Sequence, residues 1–235
     1  MSDDHADRKP EARARLRPGP KGGKRDANRR RRIKDLCDAG LSLFLQRGIE
    51  GVTIDDIVRA AGVAKGSFYR YFADKTDLVA TIFAPQERRV IAAFHAAEAA
   101  LLQAAGREEL FAAYQLLAEG MAEILVEDPD VFLLYLQENR APGVGARAPL
   151  CRLAENVDRL SIALTNIAHS RALLRPIEPR VSARSVVGAV EKLLHGLLTG
   201  EDLGEPTDIP ETLISMILDG LRPASQEGAG GEGPP

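Results

Sequence analysis

Polar and small residues follow one another closely between residues 65 and 71 of this chain. Ser67, Tyr69 and Arg70 carry groups that donate hydrogen bonds, and Gly66 lets another molecule approach the backbone. Phosphate oxygens and base edges accept such hydrogen bonds. The cluster therefore predicts contact with double-stranded DNA, and Tyr71 beside it is placed to reach a phosphate.

The surrounding residues predict two short helices joined by a tight turn. Thr53 is a favourable N-cap, and Asp56 can complete a capping box at the start of the first helix. Gly62 tolerates the left-handed conformation that a helix end requires, and the second helix is expected from about Lys65 to Phe72. A turn of about three residues between two such helices is typical of a helix-turn-helix.

The second helix should have one buried face and one free face. At about 100° per residue, Phe68 and Phe72 fall on the same side and are expected to pack inward. The polar residues spread over the opposite side, where a recognition helix contacts DNA.

The segment from about Arg32 to Phe83 resembles the DNA-binding domain of the TetR family of bacterial transcriptional regulators. The resemblance lies in Gly51-Val-Thr-Ile-x-x-Ile, Ala-Gly-Val-x-Lys-Gly-Ser-Phe-Tyr-x-Tyr-Phe and x-x-Lys75-x-x-Leu78. It implies DNA contacts by Thr53, Lys65, Gly66, Ser67, Tyr69, Tyr71 and Lys75. Arg70 is added from this sequence alone, and Ala64 departs from the Ser or Thr that caps the recognition helix in many members.

Long Ala- and Leu-rich segments with helical periodicity predict an all-α fold. We expect a disordered basic arm over residues 1–28, a three-helix DNA-binding domain over 29–84, a helical ligand-binding and dimerisation domain over 85–222, and a disordered tail over 223–235. The first helix should run from near Asn28 to Arg47. The helix after the helix-turn-helix should run from Asp74 to about Ala104, with Pro85 kinking or breaking it near Thr81. Five more helices are expected near 108–127, 130–140, 150–174, 183–199 and 210–221.

Charge is distributed unevenly along the chain, although the net charge is only −3. Residues 1–34 contain 13 Lys and Arg against 5 Asp and Glu, which leaves 18 against 29 for the remaining residues. A basic end and an acidic body orient a protein toward phosphate. The arm is therefore a candidate for DNA contact, and a solvated charge run is the alternative.

The last predicted helix indicates self-association. Its apolar residues, Leu213, Ile214, Met216, Ile217, Leu218 and Leu221, cover an arc of roughly 200°. Such an arc exceeds what one core requires, so we expect a homodimer with a two-fold helical interface that includes Leu213, Ile217 and Leu221. The resemblance also implies a dimerisation domain.

A small-molecule effector is the second expected partner. The segment between residues 90 and 198 is rich in Leu, Val, Ala and Phe, which favours an apolar or amphipathic ligand. Candidate ligand-binding residues are Phe94, Tyr114, Leu117 and Met121, and a buried Tyr114 hydroxyl would need a hydrogen-bond partner.

No catalytic or cofactor-binding pattern is found in the sequence. The histidines, His5, His95, His169 and His195, lack metal-ligand spacing, and the two cysteines, Cys37 and Cys151, are too few for a disulfide framework. We expect neither a metal nor another cofactor. The sequence also has no apolar run at its start and none of 18 residues elsewhere, so we expect a cytoplasmic protein without membrane contact.

These observations favour a transcriptional regulator, most simply a repressor. It would bind a palindromic operator as a homodimer and leave it when the effector binds. The alternative is a DNA-organising or cell-division factor with the same fold and no ligand response. An enzyme with a helical body is disfavoured, because no polar residues have catalytic spacing.

Overall fold

The computed structural model describes residues 23–175, 177–205 and 207–220, and these residues form helices without any strand. This confirms the all-α prediction. Most of the predicted basic arm, the tail after residue 222 and Leu221 lie outside the described residues. The helices are α1 (Lys24–Arg47), α2 (Ile54–Ala60), α3 (Lys65–Tyr71), α4 (Lys75–Gln103), α5 (Arg107–Glu127), α6 (Pro129–Glu138), a 3-10 turn (Gly145–Arg147), α7 (Ala148–Ser170), α8 (Pro179–Leu198) and α9 (Ile209–Gly220).

Helix α1 begins at Lys24, four residues before the predicted start at Asn28, so residues 24–28 are helical rather than disordered. Asp26 lies in the first turn, where a negative charge is favourable at a helix N-terminus. It also pairs with Arg30, one turn later, at 3.4 Å. These local interactions extend the helix beyond the residues that reach the core.

The helix-turn-helix forms as predicted. The Thr53 hydroxyl accepts from the Asp56 N–H at 3.2 Å, and Asp56 Oδ2 accepts from the Thr53 N–H at 3.0 Å, which completes the capping box. Gly62 has φ of 63° and ends the turn in the left-handed region that favours glycine. The two short helices pack on α1 and α4 through fully buried Leu36, Phe44, Ile57, Phe68 and Leu78.

Helix α4 continues through Pro85, so of the predicted kink or break near Thr81 the break does not occur. A proline inside a helix costs about 3 kcal/mol, partly because it removes one backbone hydrogen bond. Ile82 and Phe83 before it and Val90 and Phe94 after it are all buried in one core. Burial of each such side chain contributes roughly 1.5–3 kcal/mol, so tertiary packing outweighs the local penalty.

Two other helix bounds differ from the predicted ones for local reasons. Helix α7 ends at Ser170, four residues before Leu174, and Ala172 adopts a positive φ of 56°. Helix α8 begins at Pro179 rather than Ala183, because proline suits the first turn of a helix.

The second half of the molecule packs around α4. Helices α5 and α7 lie against α4, α8 lies against α7, and α9 lies against α5. An ion pair from Arg107 to Asp219 ties the start of α5 to the end of α9. This arrangement encloses a space between α4 and the last two helices.

Candidate functional site

The predicted division of α3 into two faces is confirmed. Phe68 and Phe72 are buried with their ring centroids 5.4 Å apart. The polar residues lie outside: Gly66, Tyr69 and Arg70 are exposed, and Ser67 and Tyr71 are half-buried. A methyl group at Gly66 would meet nothing within 4 Å, so packing within this chain does not require glycine there.

The start of α3 has no side-chain cap. Ala64 is its N-cap residue and supplies no hydrogen bond, as the departure from the family pattern indicated. The first N–H groups of a helix need acceptors from outside the helix. At α3 the Ser67 N–H donates to the Ala64 carbonyl at 2.8 Å, which leaves the earlier N–H groups to solvent or to a bound partner.

Lys65 lies at the same end of α3 and is paired within the protein. Its ammonium is 2.8 Å from Asp55 Oδ1, and both side chains are about half exposed. This hydrogen bond to Asp55 raises the pKa of Lys65. The pair joins the start of α2 to the start of α3, and a phosphate would have to compete with Asp55 for the ammonium.

Two other predicted contacts, Thr53 and Lys75, have structural partners in this arrangement. The Thr53 hydroxyl donates to Asp56 Oδ2 at 2.7 Å, and this bond is the main cause that lowers the pKa of Asp56 to about 2. Lys75 Nζ donates to the backbone carbonyls of Ile49 and Val52 at 2.7 and 3.0 Å. Lys75 therefore holds the turn between α1 and α2, and its contact with phosphate stays a prediction.

A buried carboxylate connects the helix-turn-helix to the rest of the molecule. Glu138, at the end of α6, accepts from the Ile49 N–H at 2.9 Å and pairs with Arg147. Gly48 makes room for it, because a methyl group there would lie 2.9 Å from Glu138 Oε1. Sequence reasoning missed Glu138 and Arg147, because a single acid in an apolar helix gives no sign of which distant backbone group it will meet.

A cavity of about 300 Å³ lies between α4 and the later helices. Phe94, Tyr114, Leu117 and Met121 all line it, so the structure brings the four predicted ligand-binding residues together. Its size and largely apolar walls are typical of a small-molecule site. The sequence predicted a cavity among the helices between residues 90 and 198 but named no residue of α6, α7 or α8, and it missed the contribution of α9.

Tyr114 places a neutral hydroxyl at this cavity. Burial raises its pKa to about 12. The hydroxyl belongs to a residue of the cavity wall, so it can offer a hydrogen bond to a ligand there.

Two of the three predicted dimerisation residues lie on the wall of the cavity within their own chain. Leu213 and Ile217 are half-buried and line the cavity, while Leu221 lies outside the described residues. Part of the wide apolar arc on α9 is therefore explained by the interior of one chain. Met216, which is absent from the cavity wall, is 63% exposed and remains available to a partner.

Cys37 lies in α1, and Cys151 lies in α7. Both are free, and burial raises the pKa of the Cys37 thiol to about 12, so it remains protonated and weakly reactive. Within the described ranges no three His, Cys, Asp or Glu residues lie together as a metal site. No described helix combines the length and hydrophobicity that a bilayer crossing requires.

The capped α2, the tight turn at Gly62 and the exposed polar face of α3 define a helix-turn-helix protein. Residues 36–82 match the family model described as bacterial regulatory proteins, tetR family, so this segment is a TetR-family DNA-binding domain. The HTH-type transcriptional regulator AcrR of Shigella flexneri is 36% identical over 55 residues, which is 23% of this chain and 26% of AcrR. The chain spans between a fifth and about a quarter of the length of the curated relatives it matches.

Solved structures extend the similarity over most of the chain. NalD, described as the secondary repressor of the MexAB-OprM multidrug efflux pump in Pseudomonas aeruginosa, superposes with a TM-score of 0.63 at 19% identity, covering 83% of this chain and 99% of NalD. FadR from Bacillus subtilis, solved in complex with stearoyl-CoA, gives a TM-score of 0.59 at 15% identity, covering 80% and 99%. At these identities the similarity establishes the shared fold alone.

Proposed function

We propose that this protein is a DNA-binding transcriptional regulator that acts as a repressor. The observation that carries the proposal is the polar face of α3, which is exposed while Phe68 and Phe72 anchor the opposite face. Gly66, Ser67, Tyr69 and Arg70 would contact base edges and phosphates in the major groove. Lys65 would contact the backbone after releasing Asp55.

The proposed operator is palindromic, because a homodimer presents two recognition helices about a two-fold axis. Helices α8 and α9 would supply the interface. Val181 on α8 and Met216 on α9 are 64% and 63% exposed, and neither lines the cavity. Two exposed apolar side chains on these helices support contact with a second copy.

An effector in the cavity would release the operator. Helix α6 forms part of the cavity wall through Val131, Phe132 and Tyr135. Its last residue, Glu138, is hydrogen-bonded to Ile49 directly before the helix-turn-helix. A ligand that moves α6 would therefore bias the position of α2 and α3, and by linkage it would weaken DNA binding.

The whole proposal is tested by selecting binding sites from a random DNA library with the purified protein. A repressor of this kind should enrich one palindromic site with half-sites about one helical turn apart. Broad recovery of unrelated sequences would instead support a DNA-organising role. Failure to retain any DNA at low salt would contradict both functions.

Gly66→Ala should separate DNA binding from stability. Alanine favours a helix by about 0.8–1 kcal/mol over glycine, and the new methyl group has free space, so the melting temperature should stay equal or rise. Operator affinity should fall about tenfold or more, because the methyl group keeps the backbone from the DNA. Gly62→Ala is the matched control: its positive φ predicts a loss of about 1 kcal/mol in stability with little change in affinity. Unchanged affinity for Gly66→Ala would remove Gly66 from the interface.

The Lys65–Asp55 pair gives a prediction about salt dependence. Lys65→Met should lower the slope of log affinity against log salt by about one, since one phosphate contact is lost. Asp55→Asn should raise affinity, because it removes a carboxylate that competes with phosphate. Lys192 on α8 forms an exposed pair with Glu201, and Lys192→Met, which breaks this pair, should leave the slope unchanged. An equal slope for Lys65→Met and wild type would show that Lys65 does not contact phosphate.

A further inference from the structure

A polar groove adjoins the apolar cavity on the side of α6, α7 and α8. The groove has a volume of about 660 Å³, and Tyr135, Val187 and Glu191 line both spaces. These three side chains form the boundary between an apolar interior and a polar opening. A molecule that occupies both spaces must pass them.

Glu191 places a carboxylate at this boundary. Its Oε1 accepts from the Asn139 amide at 2.7 Å and from the Tyr135 hydroxyl at 3.2 Å. The nearest cation is Arg140, whose Nη2 is 3.5 Å from Oε2. The Glu191 side chain is 16% exposed and that of Arg140 is 74% exposed, so solvent weakens this neutralising contact.

Glu191 is the only charged residue among the described residues that line the cavity. Two buried acceptors have no donor within the described structure: Gln86 Oε1 and Asn139 Oδ1. Gln86 lines the cavity, and Asn139 lines the groove beside Glu191. Buried polar groups are nearly always hydrogen-bonded, so each of these oxygens can still accept from a water or from a ligand group that reaches it.

We propose that the effector is an apolar amine, whose hydrocarbon part fills the cavity and whose ammonium group pairs with Glu191. This inference deepens the proposed function and rests on it. An ammonium supplies three donors and no acceptor, which matches a site with a carboxylate and unpaired acceptors. A carboxylate ligand would meet Glu191 as a like charge in a largely apolar site with no cation on the cavity wall.

The groove does not select an anion either. Arg140, Arg152 and Arg184 lie there with Glu155, Asp158 and Glu191, so its formal charges cancel. Arg184 is already paired with Asp158 at 3.1 Å. Discrimination between a cationic and an anionic ligand therefore depends on Glu191 at the boundary.

The test measures direct binding of three probes with the same hydrocarbon chain. Isothermal calorimetry of the full-length protein with decylamine, decanol and decanoate, each below its micelle concentration at neutral pH, should rank the amine first and the carboxylate last. Glu191→Gln should lower decylamine affinity about tenfold and change decanol affinity less than about twofold. Glu155→Gln, a charge-neutralised control on the exposed groove wall, should leave decylamine affinity unchanged.

Two results would overturn the inference: decanoate binding as tightly as decylamine, or equal decylamine affinity for Glu191→Gln and wild type. The decanol measurement shows whether the Glu191→Gln cavity is still folded. The experiment contains no DNA, so it also separates this inference from the regulatory function. Decylamine binding without release of the selected operator would support the site and contradict its role as an effector site.

Discussion

Glu138→Ala is expected to lower the free energy of unfolding by about 3–5 kcal/mol, because it leaves a partly buried cation and a buried N–H without their partner. Glu138 is 6% exposed, and it joins Arg147 to the Ile49 N–H. Such a loss is a large share of the 5–15 kcal/mol that is typical of a folded domain. Urea denaturation followed by circular dichroism measures it.

Glu127→Ala is the matched control for this prediction. Glu127 also forms an interhelical pair with an arginine, Arg89, but its side chain is 63% exposed. An exposed pair contributes about 0–1 kcal/mol, so this variant should remain close to wild type. Equal effects of the two substitutions would show that the buried connection does not stabilise the molecule.

Glu138→Gln tests whether this residue couples the helix-turn-helix to the helices around the cavity, because glutamine keeps the side-chain shape. Its amide oxygen can still accept from Ile49, but the charge of Arg147 loses its partner. If α6 transmits the effector signal through this contact, Glu138→Gln should reduce the loss of operator affinity that ligand causes. It should have a smaller effect on operator affinity in the absence of ligand. A variant with wild-type ligand response would place the coupling elsewhere.

In the proposed homodimer, Met216→Glu is expected to cause dissociation to monomers and to lower affinity for a palindromic site at least about a hundredfold. A charge in the proposed interface would be buried without a partner, at several kcal/mol per subunit. Each 1.4 kcal/mol corresponds to a tenfold change in an equilibrium constant. Analytical ultracentrifugation and a binding assay on the selected operator measure the two effects.

Val126→Glu provides the control for assembly. Val126 lies on α5, is 80% exposed and lines neither the cavity nor the proposed interface. The same substitution there should leave both mass and affinity unchanged. A Met216→Glu protein that sediments as a dimer, or a monomer that binds as wild type, would contradict the two-fold interface. Met216 serves this test better than Leu213 or Ile217, because a charge at either of those would also enter the cavity.

The local features of the helix-turn-helix were predictable because they depend on neighbouring residues. The capping box of Thr53 and Asp56, the left-handed Gly62 and the inward Phe68 and Phe72 all follow from spacings of a few residues. Capping and periodicity act over one or two turns, so their energetics can be read from a short segment. The absence of a side-chain cap at Ala64 was predictable for the same reason.

Tertiary packing explains the features that local rules predicted incorrectly or did not predict. Pro85 was expected to kink or break α4, and the buried residues on both sides keep the helix unbroken. Lys75 was assigned to phosphate from the resemblance, and in the folded chain its ammonium holds the carbonyls of Ile49 and Val52. Both outcomes depend on residues more than one turn away.

The sequence by itself determined the all-α class, the TetR-family DNA-binding segment, the exposed polar face of α3 and the apolar character of the second half. Only the tertiary structure showed that Leu213 and Ile217 line the cavity. It also showed that Glu138 accepts a hydrogen bond from Ile49 and that Glu191 lies between the cavity and the groove. The physical reason is the range of the interactions. Periodicity and capping are set within one segment, whereas a buried carboxylate acquires its role from groups such as Ile49, 89 residues away, that only folding brings within hydrogen-bond distance.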